Sequence, residues 1–309
     1  MEILAMQSVE LYNGVKMPIL GFGPGGMGYV PNRATGKFDR SLLARIYRKF
    51  VGVPLQRRIY ESAIARGFDI GFRLLDYSAA YGDGKAIANA IGKSKIHRDQ
   101  LFLTGRISNR AQFRGRQGVQ DEIEAILKGY GVDCLDLLMF HWPVSNCYLD
   151  TWSVLCEAYE KGFAKSIGVA NCHRHHIESL SAHALKPMVN QIEVHPLFTQ
   201  KDLVKYNQDN GIVVEAYTAI ARYDDRLMKL PTLKKIAQTH CKTPVQIVLR
   251  WHIQNGCVPI VRSLNTERQK EDVDIFDFEL SSEEIKTIDG FNINSRLRFD
   301  PDNCDFSIL

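Results

Sequence analysis

The chain has 309 residues, 45% of them hydrophobic and 24% charged, and its 39 basic against 35 acidic side chains give a formal net charge of +4. That is the profile of a soluble globular protein, and the charge is too mild over this length to argue for nucleic acid. The chain has no apolar run of membrane-spanning length and no basic-then-apolar leader, and its seven scattered cysteines form no CxxC. These features exclude a transmembrane helix, argue against a signal peptide, a disulfide framework or a structural zinc site, and favour a reducing, cytoplasmic setting.

In chain order, the runs 9–12 and 15–17 flank Asn13-Gly14, a dipeptide favoured in type I′ turns, so the chain opens with a predicted hairpin. A first strand follows at 18–23. Further apolar strand-like runs lie at 72–78, 101–108, 134–142, 164–171, 187–194, 212–219 and 258–263. Amphipathic stretches alternate with them: about 56–70, then 118–130, with Ile123, Ile126 and Leu127 on one face, then 151–161, 201–210, 232–240, 243–255 and 266–276. Strands alternating with helices imply βαβ units and a parallel sheet. Eight such units favour a closed (β/α)8 TIM barrel, and with no linker or low-complexity tract the chain reads as one domain, 1–309. A last helix at 281–291 and a polar tail complete it.

The stretch 29–54 breaks this rhythm. It reads as an insertion after the first barrel strand, far longer than the usual two to six residues, with a short basic amphipathic helix. Through Arg33, Lys37, Arg40, Arg45 and Arg48, joined by Arg110, Arg114 and Arg116 on the next loops, it is either a lid that attracts an anionic substrate or a solvated, partner-facing helix. Just before it, Gly21-Phe-Gly-Pro-Gly-Gly26 matches G-x-G-x-x-G. Pro24 interrupts the motif, however, and no second strand arrives for almost fifty residues, so a loop is favoured over a dinucleotide fingerprint.

The strand ends carry the chemistry. Each apolar run delivers a polar side chain near its carboxyl end: Asp76, Arg106, His141, Asn171, Gln191 with Glu193, Tyr217 and Arg262. Barrel enzymes keep their active sites on that rim. Tyr81 follows Asp76 by five residues, and a phenol can donate a proton near neutral pH only if a cation or donor lowers its pKa. Arg106 can supply the cation, Asp76 can hold Arg106, and His141 can bond the phenol or a substrate oxygen. Taken singly, Asp76 and Arg106 also read as a structural ion pair. No covalent nucleophile stands beside His141 in a readable motif, and no carboxylate–histidine cluster has metal spacing; the run His173–His176 reads as a solvated helix cap.

Taken together, these residues resemble the aldo-keto reductase family, its bacterial branch similar to diketogluconate reductases. The resemblance rests on Asp76-x4-Tyr81-Gly82, Asp136–Pro143, Lys165–Asn171, Val189–Pro196, Ile260–Arg268, Phe276–Leu280 and the tail Asp300-Pro-Asp-Asn with Asp305-Phe306. It implies an NADP(H)-dependent reductase that turns an aldehyde or ketone into an alcohol, with Tyr81 as proton donor, Asp76, Arg106 and His141 in support, and Trp142 beside the substrate. Asn171 and Gln191 would bind the nicotinamide amide, and Tyr217 would stack on its ring. Arg262, Ser263 and Arg268 would hold the 2′-phosphate, a pairing that charge-assisted, often bidentate guanidinium bonds also favour. Asp76, Thr218, Ile220, Leu264 and Asp272 complete the implied cofactor set. The expected partner is a small carbonyl compound, anionic in one reading, with no nucleic acid, no membrane and no metal. The expected assembly is a monomer or weak oligomer. His195-Pro196 reads as structural.

One departure from the family pattern matters most: Arg106 stands where the family has a catalytic Lys. Arg keeps the charge but is larger, planar and effectively never deprotonated. It motivates a second reading, an NADP(H)-binding regulatory or sensor protein with attenuated activity. Ala170, Arg262, Asp272 and Thr218–Ile220 are smaller departures, and retained His141 favours carbonyl over carbon–carbon double-bond reduction. A third reading, an aldolase or isomerase barrel, lacks the strand-end Lys it would need.

Overall fold

The computed structural model describes residues 7–23, 53–78 and 84–308. Eight parallel strands close into a barrel: β3 (Gly21–Phe22), β4 (Leu74–Leu75), β5 (Phe102–Ile107), β6 (Leu137–Phe140), β7 (Ile167–Ala170), β8 (Val189–Glu193), β9 (Val213–Tyr217) and β10 (Cys257–Val261), with β10 pairing back to β3. The predicted closed barrel is therefore the observed one. The strands read as apolar runs because helices cover one face and the packed lumen the other. Every residue of β5, β6, β7 and β8 is buried. Among the described residues no helix is long and apolar enough to cross a membrane.

The hairpin forms, with β1 (Ser8–Glu10) antiparallel to β2 (Lys16–Pro18), but its turn differs from expectation. Leu11 and Val15 bracket a three-residue loop, and only Gly14 takes a positive φ, of 85°. A type I′ turn would need positive φ at Asn13 as well. Asn13 is instead drawn outward, its Nδ2 donating to the Lys165 carbonyl at 2.9 Å, while the Tyr12 hydroxyl donates to the Lys186 carbonyl at 2.6 Å. Both acceptors lie just before barrel strands, so the hairpin plugs the end opposite the predicted site, with Leu11 and Met17 fully buried.

Helix boundaries fall close to the periodicity, with three findings beyond it. The helix predicted from about residue 56 begins at Val53, inside the expected insertion, and runs to Ile70. Residues 24–52, which hold the rest of that insertion and half of the glycine-rich motif, lie outside the described residues. An unpredicted helix, Lys85–Lys93, buries Ala86, Ile87 and Ala90 against the Val53–Ile70 helix. Ala86, Ile87, Ala90 and Ile91 recur at helical spacing along it, so its amphipathic signal was present in the sequence. Short helices at Asn109–Phe113 and Arg174–Ser179 start the connections after β5 and β7.

Candidate active site

The carboxyl ends of the strands open into a cleft of about 450 Å³. Its floor holds Asp76, Arg106, His141, Asn171, Gln191 and Tyr217, one from each of six successive strand ends. Trp142 closes one side. Thr218, Ile220, Arg262 and Arg268 lie along the other. The predicted residues Ser263, Leu264 and Asp272 do not line the cleft. Ser263 is turned into its own loop, exchanging bonds with Asn265 at 3.0 and 3.1 Å, and Asp272 is buried in the helix Thr266–Val273. Burial first, then the charge of Glu271, pushes the Asp272 carboxyl up to about 7. Tyr81, the predicted proton donor, lies outside the described residues.

The floor is a buried charged network. Arg106 Nη2 donates to Asp76 Oδ2 at 2.8 Å, with both side chains under 8% exposed, and Nη1 donates to Gln191 Oε1. The Gln191 amide nitrogen spends both protons, on Asp76 Oδ1 at 3.1 Å and Glu215 Oε2 at 2.7 Å. A guanidinium suits this position because its fork meets a carboxylate and an amide at once, which a lysine ammonium does less well. The predicted nicotinamide partner Gln191 is thus committed inside the protein, with one carbonyl lone pair left over.

Glu215 was not anticipated. It is an acid inside a strand that reads as an apolar run, fully buried, and such a residue needs a partner. Burial, and then the negative charge of Asp76, pushes its carboxyl up to about 8, so it is mostly protonated at neutral pH. His141 moves the other way. Burial and then the positive charges of Arg106 and Arg298 hold its imidazole well below the ordinary histidine range. It is neutral at pH 7 and acts there as a hydrogen-bonding group rather than an acid.

Asn171 sits in the left-handed region, φ 59°, which asparagine tolerates better than most residues. Its amide donates to the His141 carbonyl at 2.9 Å and accepts from the Tyr217 hydroxyl at 2.6 Å. These bonds fix the edge of the Tyr217 ring at the cleft. Beyond Tyr217 the chain is strained: Thr218, Ala221, Arg222 and Tyr223 all take φ between 50° and 61°, although none is glycine. Such backbone persists only where surrounding structure over-determines it, often beside ligands. Here His252 Nε2 holds the Ala219 carbonyl at 2.9 Å, and the Arg268 guanidinium lies over the Tyr223 ring at 5.1 Å. Arg222 and Tyr223 line the cleft and were missed, because nothing in Thr-Ala-Ile-Ala-Arg-Tyr marks a left-handed loop.

The tail supplies a further missed residue, Arg298. Buried Glu193 accepts from the Leu297 and Arg298 backbone N–H groups at 2.7 and 2.9 Å and contacts His195 Nε2 at 3.0 Å. His195 is fully buried in this strut. Farther on, the Phe306 ring packs against Trp142 with centroids 6.3 Å apart. The histidine run caps its helix, but it is not simply solvated. His173 Nδ1, His175 Nε2 and His176 Nε2 lie 2.7, 3.2 and 3.7 Å from the Asp302 carboxylate, and His173, His176 and Asp302 could together approach a metal ion. The second ring nitrogens argue otherwise. His176 Nδ1 accepts the His173 backbone N–H at 3.2 Å, and His173 Nε2 faces the Arg296 guanidinium at 3.4 Å. Both protons therefore sit on the nitrogens that face Asp302, making donors around a carboxylate rather than metal ligands.

Residues 54–293 match the family model described as Aldo/keto reductase family. Among curated proteins, the chain is 36% identical over 301 residues to the uncharacterized oxidoreductase YtbE of Bacillus subtilis, covering 96% of each chain. It is 34% identical over 300 residues to the glyoxal reductase of the same organism, covering 97% of this chain and 98% of that one. Among solved structures, Bombyx mori aldo-keto reductase in complex with NADP superposes with a TM-score of 0.79 at 30% identity, covering 96% of both chains.

Proposed function

The chain belongs to the aldo/keto reductase family, and from that membership we propose that it is an NADP(H)-dependent reductase of aldehydes or ketones that works in the cytoplasm. The observation that carries the reading is the pairing, in one cleft, of a buried fixed cation and a neutral histidine with a rim of arginines. Arg262 and Arg268 are exposed at the end of β10 and have no carboxylate within ion-pair distance among the described residues, which fits a phosphate-bearing nucleotide. Seven free thiols fit a reducing compartment.

In this proposal Arg262 and Arg268 hold the 2′-phosphate, Asn171 offers its remaining amide N–H to the nicotinamide carboxamide, and Tyr217 presents its ring. Bound NADPH supplies the hydride. The side chains manage the proton and the charge. Asp76 and Gln191 lock Arg106 by its two terminal nitrogens, so its charge is fixed in place and always present. A fixed cation lowers the pKa of a neighbouring phenol, the role assigned to Arg106 toward Tyr81. Neutral His141 donates an N–H to the substrate oxygen and steers it toward the phenol, with Trp142 walling the substrate side. Gln191 serves as a positioning residue for Arg106. Single-turnover mixing of purified protein, NADPH and a panel of aldehydes and ketones tests the reading. NADPH consumption matched by alcohol formation, and lost in Tyr81→Phe, is expected; tight NADPH binding without turnover of any carbonyl overturns it. That second outcome is the signature of the regulatory reading, which rests on Arg106.

A further inference from the structure

The arginines of the cleft do not all serve one ligand. Arg106 is neutralised by Asp76 at the floor. Arg222 and Arg262 lie on the loops after β9 and β10 and Arg268 in the first turn of the helix Thr266–Val273 that follows, the side where the proposed nucleotide phosphates belong. Arg298 arrives separately, on the C-terminal tail. It lines the cleft at the His141 and Trp142 end, and its charge reaches the His141 imidazole. Its side chain is exposed and has no carboxylate within ion-pair distance among the described residues.

The position of Arg298 is built rather than incidental. The buried Glu193 carboxylate accepts from the two successive backbone N–H groups of Leu297 and Arg298, at 2.7 and 2.9 Å. Arg296, one step earlier, stacks over the Phe198 ring at 4.7 Å, and Phe306 anchors the tail on Trp142. A guanidinium held by its backbone at the reacting end of a cleft, near the Phe299 ring at 5.9 Å but with no carboxylate partner among the described residues, is suited to a carboxylate or phosphate carried by the substrate itself.

We propose that Arg298 is a specificity-determining residue that selects carbonyl substrates bearing an anionic group, a carboxylate above all, by pairing with that group while His141 takes the carbonyl oxygen. This rests on the reductase reading given above and adds the substrate class to it. The preference comes from the tail, whatever the 29–52 segment does. Because the guanidinium is exposed, the attraction is screened by salt.

The test pairs 4-formylbenzoate with its methyl ester, which differ by one charge. Wild type reduces the acid with kcat/KM about tenfold or more above the ester, the worth of one charge-assisted bond. In Arg298→Ala the ratio falls toward one, in Arg298→Glu it inverts, and in Arg298→Lys part of it survives. These side-chain changes leave the Glu193 bonds to the backbone in place, so folding is preserved. Arg222→Ala should weaken NADPH binding while keeping the ratio. Equal use of acid and ester by wild type, or a ratio unmoved in Arg298→Ala and Arg298→Glu, overturns the assignment while leaving the reductase reading intact. Turnover of neither compound overturns the reductase reading instead. Calorimetry of 4-formylbenzoate with NADP+-saturated protein then decides on Arg298: binding weakened about tenfold in Arg298→Ala sustains the assignment, and equal binding refutes it.

Discussion

Replacing Arg106 with Met tests the floor of the site directly. The two side chains have similar length, so little volume is lost, but a buried cation disappears from beside Asp76. With side-chain exposures of 4% and 7%, the pair lies far from the regime of surface bridges such as Lys205–Asp209, at 74% and 58%. A bridge of the latter kind contributes about 0–1 kcal/mol. Removing one partner of a buried pair costs about 3–5 kcal/mol, because the remaining charge has lost its solvation and its counter-ion. Two further consequences push the same way. The Gln191 carbonyl loses its donor, and Asp76 then faces Glu215 through a single amide. Urea unfolding at pH 7, followed by circular dichroism, should show the loss against a typical total of about 5–15 kcal/mol. Asp76→Leu in the Arg106→Met background removes the orphaned charge and should recover about 2 kcal/mol or more, appearing as a coupling energy in the double-mutant cycle. A single-variant loss under about 1 kcal/mol, or losses that add to within about 0.5 kcal/mol, refutes the reasoning.

Other changes separate the remaining roles. Arg106→Lys keeps the charge but meets carboxylate and amide less well than the guanidinium fork, so turnover should fall about tenfold or more in stopped-flow NADPH oxidation; a gain in rate would instead favour the regulatory reading. Glu215, raised from 4.5 to about 8, holds a proton in the folded chain that the unfolded chain releases. Its contribution is full below pH 4.5 and is lost as pH rises toward 8, with a slope of up to about 1.4 kcal/mol per pH unit. Glu215→Gln removes that slope, so its unfolding free energy relative to wild type should climb between pH 6 and 8; parallel curves would show that the carboxyl does not titrate there. Arg268→Ala should weaken NADPH far more than NADH in fluorescence titrations, and equal weakening would remove it from the 2′-phosphate. Glu193→Ala strips the tail of its two anchoring bonds and leaves buried His195 without its partner, so a loss of about 2–4 kcal/mol and faster amide exchange over 296–308 are expected; unchanged exchange would show that the tail is held elsewhere.

The barrel was legible because its strands obey a one-dimensional rule: apolar through the buried length, polar where the strand emerges. That rule places Asp76, Arg106, His141, Asn171, Gln191, Glu193, Tyr217 and Arg262 on one rim, and the structure brings all of them to the cleft except Glu193, which is turned away to hold the C-terminal tail. It failed for Glu215, which sits before the strand end and passed as one residue in an apolar run. An acid in a strand covered on both faces is itself a signal, since it needs a buried partner. The hairpin turn was misassigned because Asn13 bonds to Lys165, a contact across 152 positions that no local dipeptide preference contains. Arg298 was invisible for the same reason: the bonds that place it run from Glu193 over more than a hundred residues. The histidine run shows the converse. Its cap was readable, but not the Asp302 carboxylate that closes it from the far end of the chain.

Arg106 makes sense once its surroundings are counted as a unit. Asp76 and Arg106 cancel, Glu215 is largely protonated and His141 is neutral, so the floor is close to neutral at pH 7 although ionisable groups crowd it. Positive charge with no carboxylate within ion-pair distance among the described residues lies higher, on Arg222, Arg262, Arg268 and Arg298. In the proposed reaction an anionic nucleotide and an anionic substrate would be drawn to opposite sides of the rim, while the reacting oxygen would meet a floor whose cation cannot be lost to solvent. A lysine there could shed its proton under the influence of its neighbours, whereas a guanidinium cannot. On the proposed mechanism, control of proton delivery passes from the cation to the acids around it. Ionisation of Glu215 adds a negative charge beside Asp76 and Arg106, opposes the cation's pull on the phenol and raises the phenol's pKa. Glu215→Gln should accordingly flatten the alkaline limb of the kcat profile as well as the stability curve. If it flattens only one of them, the coupling between floor charge and catalysis is wrong.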